Sequence, residues 1–205
     1  MRLLNVFAAF ILGLSVCAQP TLKEILDAPF ASDLIMTQDG KTIAWLDNKA
    51  GERNIFIARG KDFSTVYQLT DYVGDQGVAI SNLRFTPDGN RIVFVRGNTK
   101  NRQGQPANPA LLHQNTEQAI FIQSLVGSDR IKISSGTQPT ISNDGLTIAF
   151  INGGQVWTAS LSDSIPNPKQ LFKIRGTQSD IKWSPDDKNI VFTSFRGDHS
   201  YIGVY

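Results

Sequence analysis

The chain has 205 residues, enough for one or two ordinary domains. Its 40% hydrophobic and 19% charged residues exclude an intrinsically disordered polypeptide. Twenty basic against 18 acidic residues leave a net charge of +2, with no basic run longer than two, so the basic stripe of a nucleic-acid binder is missing and no nucleic-acid partner is expected.

The first element is an N-terminal apolar stretch. Met1-Arg2 gives a short positive start, and Leu3 to Val16 is interrupted only by Asn5, Gly13 and Ser15. Val16-Cys17-Ala18 closes it, which predicts a secretory signal peptide over residues 1–18, cut after Ala18. The stretch is short of the roughly 20 apolar residues a membrane span needs, so no span is expected in the mature chain. The predicted location is periplasmic or secreted. Leu14-Ser15-Val16-Cys17 offers a bacterial lipoprotein signal as the alternative, with Val16 where a smaller residue is usual. Cys17 is the sole cysteine, so a chain cut after Ala18 has neither a disulfide nor a thiol nucleophile.

Leu22-Lys-Glu-Ile-Leu26 then reads as one helical turn. Beyond it a phrase repeats four times: Thr37-Gln-Asp-Gly-Lys-Thr-Ile-Ala-Trp45, Thr86-Pro-Asp-Gly-Asn-Arg-Ile-Val-Phe94, Ser142-Asn-Asp-Gly-Leu-Thr-Ile-Ala-Phe150 and Ser184-Pro-Asp-Asp-Lys-Asn-Ile-Val-Phe192. Its Asp residues stand at 39, 88, 144 and 186, a period of roughly 40–50 residues that marks an array of like units. The phrase is a tight turn followed by an alternating strand, the Gly accepting a positive φ. Asp186-Asp187 lacks that Gly, so its turn is expected to be strained or of another type.

A strand precedes each turn (Ser32 to Met36, Ile80 to Phe85, Gln138 to Ile141, Asp180 to Trp183). A third follows each phrase (Asn54 to Ala58, Ala119 to Leu125, Gln155 to Leu161, Tyr201 to Val204). Three repeats add a fourth (Thr65 to Leu69, Arg130 to Ser134, Lys169 to Ile174). Four short antiparallel strands per unit of this length make a propeller blade. The expected fold is all-β: a partial β-propeller of about four blades over residues 19–205 (30–72, 78–136, 137–176, 177–205), each of four antiparallel strands, with the last incomplete. Trp45, Phe94, Phe150 and Phe192 recur in register and are expected to pack between neighbouring blades. The fourth repeat reaches Tyr205 after its third strand, so the chain is expected to be the first part of a longer protein.

Chemistry is sparse along this array. There is no Gly-x-Ser-x-Gly nucleophile elbow, no zinc-ligand spacing and no phosphate-binding Gly loop. His113 and His199 read as solvated loop residues. No catalytic residue, metal site or cofactor is expected, and whether the chain belongs to an enzyme is left open. The irregular piece is the polar insertion 97–118 within the second repeat. Insertions of this length are disordered or functional. Asn98, Arg102 and Gln105 are its candidates for contact with a substrate or a neighbouring domain.

The four turn phrases resemble propeller repeats of TolB type. Leu69-Thr-Asp-Tyr-Val-Gly-Asp75, Ile80-Ser-Asn-Leu-Arg-Phe-Thr-Pro-Asp-Gly89, Phe94-Val-Arg-Gly97 and Asn108-Pro109 more narrowly resemble the N-terminal propeller of secreted bacterial serine peptidases of the prolyl oligopeptidase family, which includes dipeptidyl peptidase IV and acylaminoacyl peptidase. That resemblance implies a propeller capping an α/β-hydrolase domain whose Ser-Asp-His triad lies C-terminal to it, and a role in admitting short peptides and refusing folded proteins. The peptide substrate would be met through that absent catalytic domain. The paired glutamates by which dipeptidyl peptidases hold a substrate N-terminus have no counterpart, since Glu117 stands alone. Two alternatives stay open: a non-enzymatic TolB-like propeller binding a protein in the cell envelope, and a glycan- or peptide-binding propeller.

Overall fold

The computed structural model describes residues 20–113 and 116–205, so the expected signal peptide and the alternative lipidation at Cys17 lie outside the described residues. One helical turn, α1 (Leu22–Leu26), opens the chain. The Thr21 hydroxyl accepts from the Glu24 amide at 3.2 Å, and the Glu24 carboxylate accepts from the Thr21 amide at 2.7 Å. This reciprocal capping box is what lets so short a helix form.

The described residues then build four antiparallel sheets, each a meander in chain order. Blade 1 is β1 (Phe30–Met36), β2 (Thr42–Lys49), β3 (Glu52–Arg59) and β4 (Thr65–Gln68). Blade 2 is β5 (Ile80–Phe85), β6 (Arg91–Arg96), β7 (Ala119–Ser124) and β8 (Arg130–Ser135). Blade 3 is β9 (Thr137–Ile141), β10 (Thr147–Asn152), β11 (Gln155–Ser160) and β12 (Lys169–Gln170). Blade 4 has three strands, β13 (Thr177–Trp183), β14 (Ile190–Arg196) and β15 (His199–Val204). This is the expected all-β, partial propeller with its last blade one strand short. The strand expected over Lys169 to Ile174 stops at Gln170, because Leu171, Phe172 and Ile174 turn inward onto the blade 3–4 core. His199 opens β15 beside Asp198 rather than lying in a loop.

The repeated phrase folds the same way each time. The Ser or Thr hydroxyl donates to the Asp carboxylate two residues on, at 2.7 Å in Thr37, 2.5 Å in Thr86, 2.5 Å in Ser142 and 2.6 Å in Ser184. The same hydroxyl accepts the amide five residues on, at 3.0–3.1 Å. The turn closes with an amide-to-carbonyl bond from Gly40, Gly89, Gly145 and Asp187. Asp187 therefore adopts the turn of the others, with φ at 56° where the glycines stand at 69–74°. The turn type is conserved across the four units; only the residue that bears the positive φ differs.

Three apolar clusters join the blades in series. Ala44, Leu46, Ile55 and Ile57 of blade 1 meet Phe94 of blade 2. Val93, Val95, Ile120 and Ile122 of blade 2 meet Phe150 of blade 3. Ala149, Ile151 and Val156 of blade 3 meet Phe192 of blade 4. Phe94 and Phe150 are fully buried, each worth about 1.5–3 kcal/mol of apolar transfer. Trp45 departs from the expected pattern. It stacks on Phe56 at 5.8 Å but is only half-buried, because no described blade faces it.

Candidate functional site

Antiparallel meanders put the four repeated turns at one end of the blades and the connections between second and third strands at the other. At the turn end lies a groove of about 1090 Å³ between blades 1 and 2, lined among others by Gln38, Asp39, Arg59, Lys61, Asp88 and Val126. A second hollow of about 610 Å³ continues from it along the inner strands past Met36, Arg84, Phe85, Thr140 and Asn143. Gln38 and Pro87 line both.

Each inner strand carries a β-bulge that re-aims its side chains. The residue at the bulge has positive φ and is exposed: Asp33, Asn82, Gln138 and Asp180, at 52–57°. Bulges of this kind are designed features that redirect side chains. Here they turn polar groups out along the innermost edge of every blade. The Gln138 side chain reaches the next blade and accepts from the Asp180 amide at 2.9 Å.

At the opposite end stands the insertion 97–118. Its neck is tight: a Cβ on Gly97, at φ 129°, would overlap the Glu117 carbonyl. Asn98 is a clasp. Its amide donates to the Gly77 carbonyl at 2.8 Å and the Ala107 carbonyl at 2.9 Å, while its oxygen accepts from the Ala79 amide at 3.0 Å. The insertion is thereby tied to the connector between blades 1 and 2. Beyond the clasp, Lys100 and Pro106 bridge a small hairpin in which Asn101 accepts from the amides of Gln103 and Gln105 at 3.0 and 2.9 Å. Arg102 is exposed at its tip and Gln105 on its return limb. Asn98 thus lies at the root of the insertion and the other two candidates at its outer end.

Beside the neck, Tyr72 lies between two guanidinium groups, Arg96 at 4.3 Å and Arg130 at 4.8 Å from its ring centre. Burial raises the Tyr72 phenol above its ordinary value and lowers the Arg96 guanidinium below its own. Arg130 also pairs with Asp71 at 3.1 Å. The space around this stack is only about 10 Å³, and the stack braces the connector.

The carboxylates of Asp39, Asp88, Asp186 and Asp187 are held below their ordinary values. Hydrogen bonds from Thr37 and the Lys41 amide lower Asp39, and those from Ser184 and the Lys188 amide lower Asp186. For Asp88 desolvation opposes the shift, and the Thr86 and Asn90 bonds outweigh it. Asp187 shows the same balance, its carboxylate accepting from both Asn143 nitrogens and from the Asp144 amide at 2.8–2.9 Å. One blade's turn thus grips the next. These groups serve the fold and are not poised as acids or bases. Among the described residues no group of three or more His, Cys, Asp or Glu is placed to hold a metal, and no helix is long and apolar enough to cross a membrane.

The sequence reading placed Gln38, Asp39 and Asp88 in turns and the bulge residues in strands, but gave none of them a part in a site. The bulges did leave a signal: a Ser or Thr followed by Asp, Asn or Gln, five residues ahead of each turn phrase (Ser32-Asp33, Ser81-Asn82, Thr137-Gln138, Ser179-Asp180). The grooves left none, because they exist only between packed blades.

No protein-family description matches the chain, and no curated protein sequence does. Among solved structures it is similar to TolB from Acinetobacter baumannii, at 17% identity and a TM-score of 0.56, over 87% of this chain and 41% of that one. It is similar to the Pyrococcus horikoshii acylaminoacyl peptidase, at 14% identity and a TM-score of 0.56, over 89% of this chain and 32% of that one. It is also similar to an oligogalacturonate lyase from Vibrio parahaemolyticus, at 13% identity and a TM-score of 0.59, over 85% and 48%. The chain spans less than half the length of these structures. The likeness is one of fold: a propeller module of the kind found in TolB and in peptidases.

Proposed function

We propose that the chain is the substrate-gating propeller of a secreted or periplasmic serine peptidase acting on peptides, with the chemistry in an α/β-hydrolase domain elsewhere in the protein. The observation that carries this reading is the blade 2 insertion. It is clasped at its root by Asn98, and it holds Arg102 and Gln105 out at the end of the blades away from the repeated turns. A polar projection anchored at its root in this way suits contact with a substrate or a second domain, since function sits on loops positioned by a rigid scaffold. In this reading the propeller restricts access to short peptides, and the acyl transfer follows the nucleophile, base and orienting-acid logic of a triad the gate does not supply.

The similarity to the acylaminoacyl peptidase supports the reading at the level of fold, which by itself does not assign function. Reading the gene downstream of the Tyr205 codon tests it. A hydrolase coding region in frame is the expected result, and a stop codon followed by no hydrolase sequence would overturn it. The purified chain is expected not to cleave aminoacyl or dipeptidyl chromogenic substrates.

A second reading, a non-enzymatic TolB-like propeller that binds a protein in the envelope, is favoured by the open groove of about 1090 Å³ with charges of both signs on its walls. It predicts capture of an envelope protein that is lost in Arg59→Glu, and no hydrolase in the gene.

A further inference from the structure

Among the described residues Arg96 is the one charged side chain that is buried, at 7% exposure. It stands two residues beyond the aromatic of the repeated phrase, a place held by Asp47, Asn152 and Ser194 in the other blades. There it lines a cavity of about 10 Å³ between blades 1 and 2, together with Arg53, Tyr72, Gly74 and Gln76. Both walls of the cavity come from described strands and the connector that joins them.

A buried cation is ordinarily paired with a carboxylate, because its desolvation otherwise goes uncompensated. Among the described residues neither Arg96 nor Arg53 pairs with one. Residues 1–19, 114 and 115 contain no Asp or Glu to supply it. The carboxylates close by in the chain are engaged elsewhere. Asp71 pairs with Arg130 at 3.1 Å, Glu52 accepts from the Gly74 amide at 2.7 Å, and Asp75 accepts from the Gly77 amide at 2.9 Å. A guanidinium has five N–H donors. One of those on Arg96 goes to the Gln76 side-chain oxygen, and no other described residue accepts from the group. The Tyr72 ring faces Arg96 but is shared with Arg130. Burial lowers the Arg96 guanidinium below its ordinary value, Tyr72 opposes this, and the Arg130 charge adds to it. The hollow therefore joins unused donors to a positive charge that the chain does not balance.

We propose that this hollow is a halide site, in which one chloride ion sits between Arg96 and Arg53 and supplies the missing counter-charge. Size selects the class of ligand. About 10 Å³ is room for one water-sized body, which suits a single-atom anion and not a carboxylate or phosphate group. Gly74 on the rim is exposed, so the hollow is reached from solvent. Bound there, the ion ties β3 of blade 1 and β6 of blade 2 to the connector beneath the insertion. The site rests on blades 1 and 2 alone and does not depend on the peptidase reading.

Urea denaturation of the purified chain, with sodium chloride exchanged for sodium gluconate at constant ionic strength, tests the proposal. Raising chloride from about 10 to about 300 mM is expected to lower the wild-type unfolding constant about fivefold, as for an ion with a Kd of about 50 mM held only by the folded state. Bromide is expected to replace chloride, and acetate is not. Arg96→Gln and Arg53→Gln are each expected to reduce the effect to less than about twofold. A general salt effect on hydration would act on all three proteins alike. Arg53 is half-buried and outside the apolar clusters, so its variant decides the question where Arg96→Gln does not fold. Equal wild-type midpoints in chloride and gluconate would overturn the proposal. So would the full effect retained in Arg53→Gln, which would put the ion elsewhere, or an acetate effect as large as that of chloride, which would mean a carboxylate site.

Discussion

Asp187 shows how one residue can carry a cost and a gain together. It occupies a left-handed position that three of the four repeats give to glycine, and its carboxylate collects three hydrogen bonds from the turn of the blade before it. Asp187→Gly removes the grip but also the backbone strain, whereas Asp187→Ala removes the grip and keeps the strain. Thermal midpoints are therefore expected to rank wild type above Asp187→Gly above Asp187→Ala, and an Ala variant as stable as the Gly variant would contradict the account. The pH dependence has a fixed sign. The folded carboxylate titrates below its ordinary value despite desolvation, because Asn143 and Asp144 donate to it. Its contribution is thus present above the unfolded value near pH 4 and is lost as pH falls through the folded one. Urea midpoints measured from pH 6 down to pH 2.5 should fall more steeply for wild type than for Asp187→Asn. Asn98 also has a nearly saturated side chain. Asn98→Ala strands the Gly77 and Ala107 carbonyls and the Ala79 amide, and is expected to cost about 1–3 kcal/mol in denaturant titrations.

Among the elements, the insertion divides into a root that cannot change and a tip that can. Gly97 passes so close to Glu117 and Gln118 that any side chain displaces backbone, and Gly77 is covered by Pro109 in the same way. The hairpin from Lys100 to Pro106 touches its own Asn101 and little else. Gly97→Val is expected to destabilise by at least about 2 kcal/mol, as strain at a required positive φ does. Replacing residues 101–105 by a short Gly-Ser link should leave the urea midpoint nearly unchanged, since loop length alone costs only about 0.6 kcal/mol per doubling. The contrast explains what could be read in advance. Strands and turns were legible because the turn phrase is a local device: Thr37, Asp39 and Thr42 complete their bonds within six residues. Asn98 could be singled out as a polar residue in an unusual loop, but its partners at Gly77 and Ala79 lie across a blade boundary that sequence spacing does not encode. The early end of β12 was hidden for a similar reason, since Leu171 and Phe172 look like strand until blade 4 is there to receive them.

For the whole molecule the aromatic register offers a test in which chemistry is constant and only position in the array varies. Phe150 and Trp45 occupy the same place in the second strand of their blades, each opposite an aromatic of the third strand. Phe150 is wholly buried against the aliphatic quartet of blade 2, whereas Trp45 leans on Phe56 alone with its outer side uncovered. Phe150→Ala opens a cavity between two blades, and removal of a large buried aromatic costs about 3–5 kcal/mol. Trp45→Ala, although it deletes the larger side chain, leaves no enclosed void and is expected to cost less than half as much. The comparison is made by urea denaturation. Equal costs would mean that the face of Trp45 turned away from Phe56 is already covered.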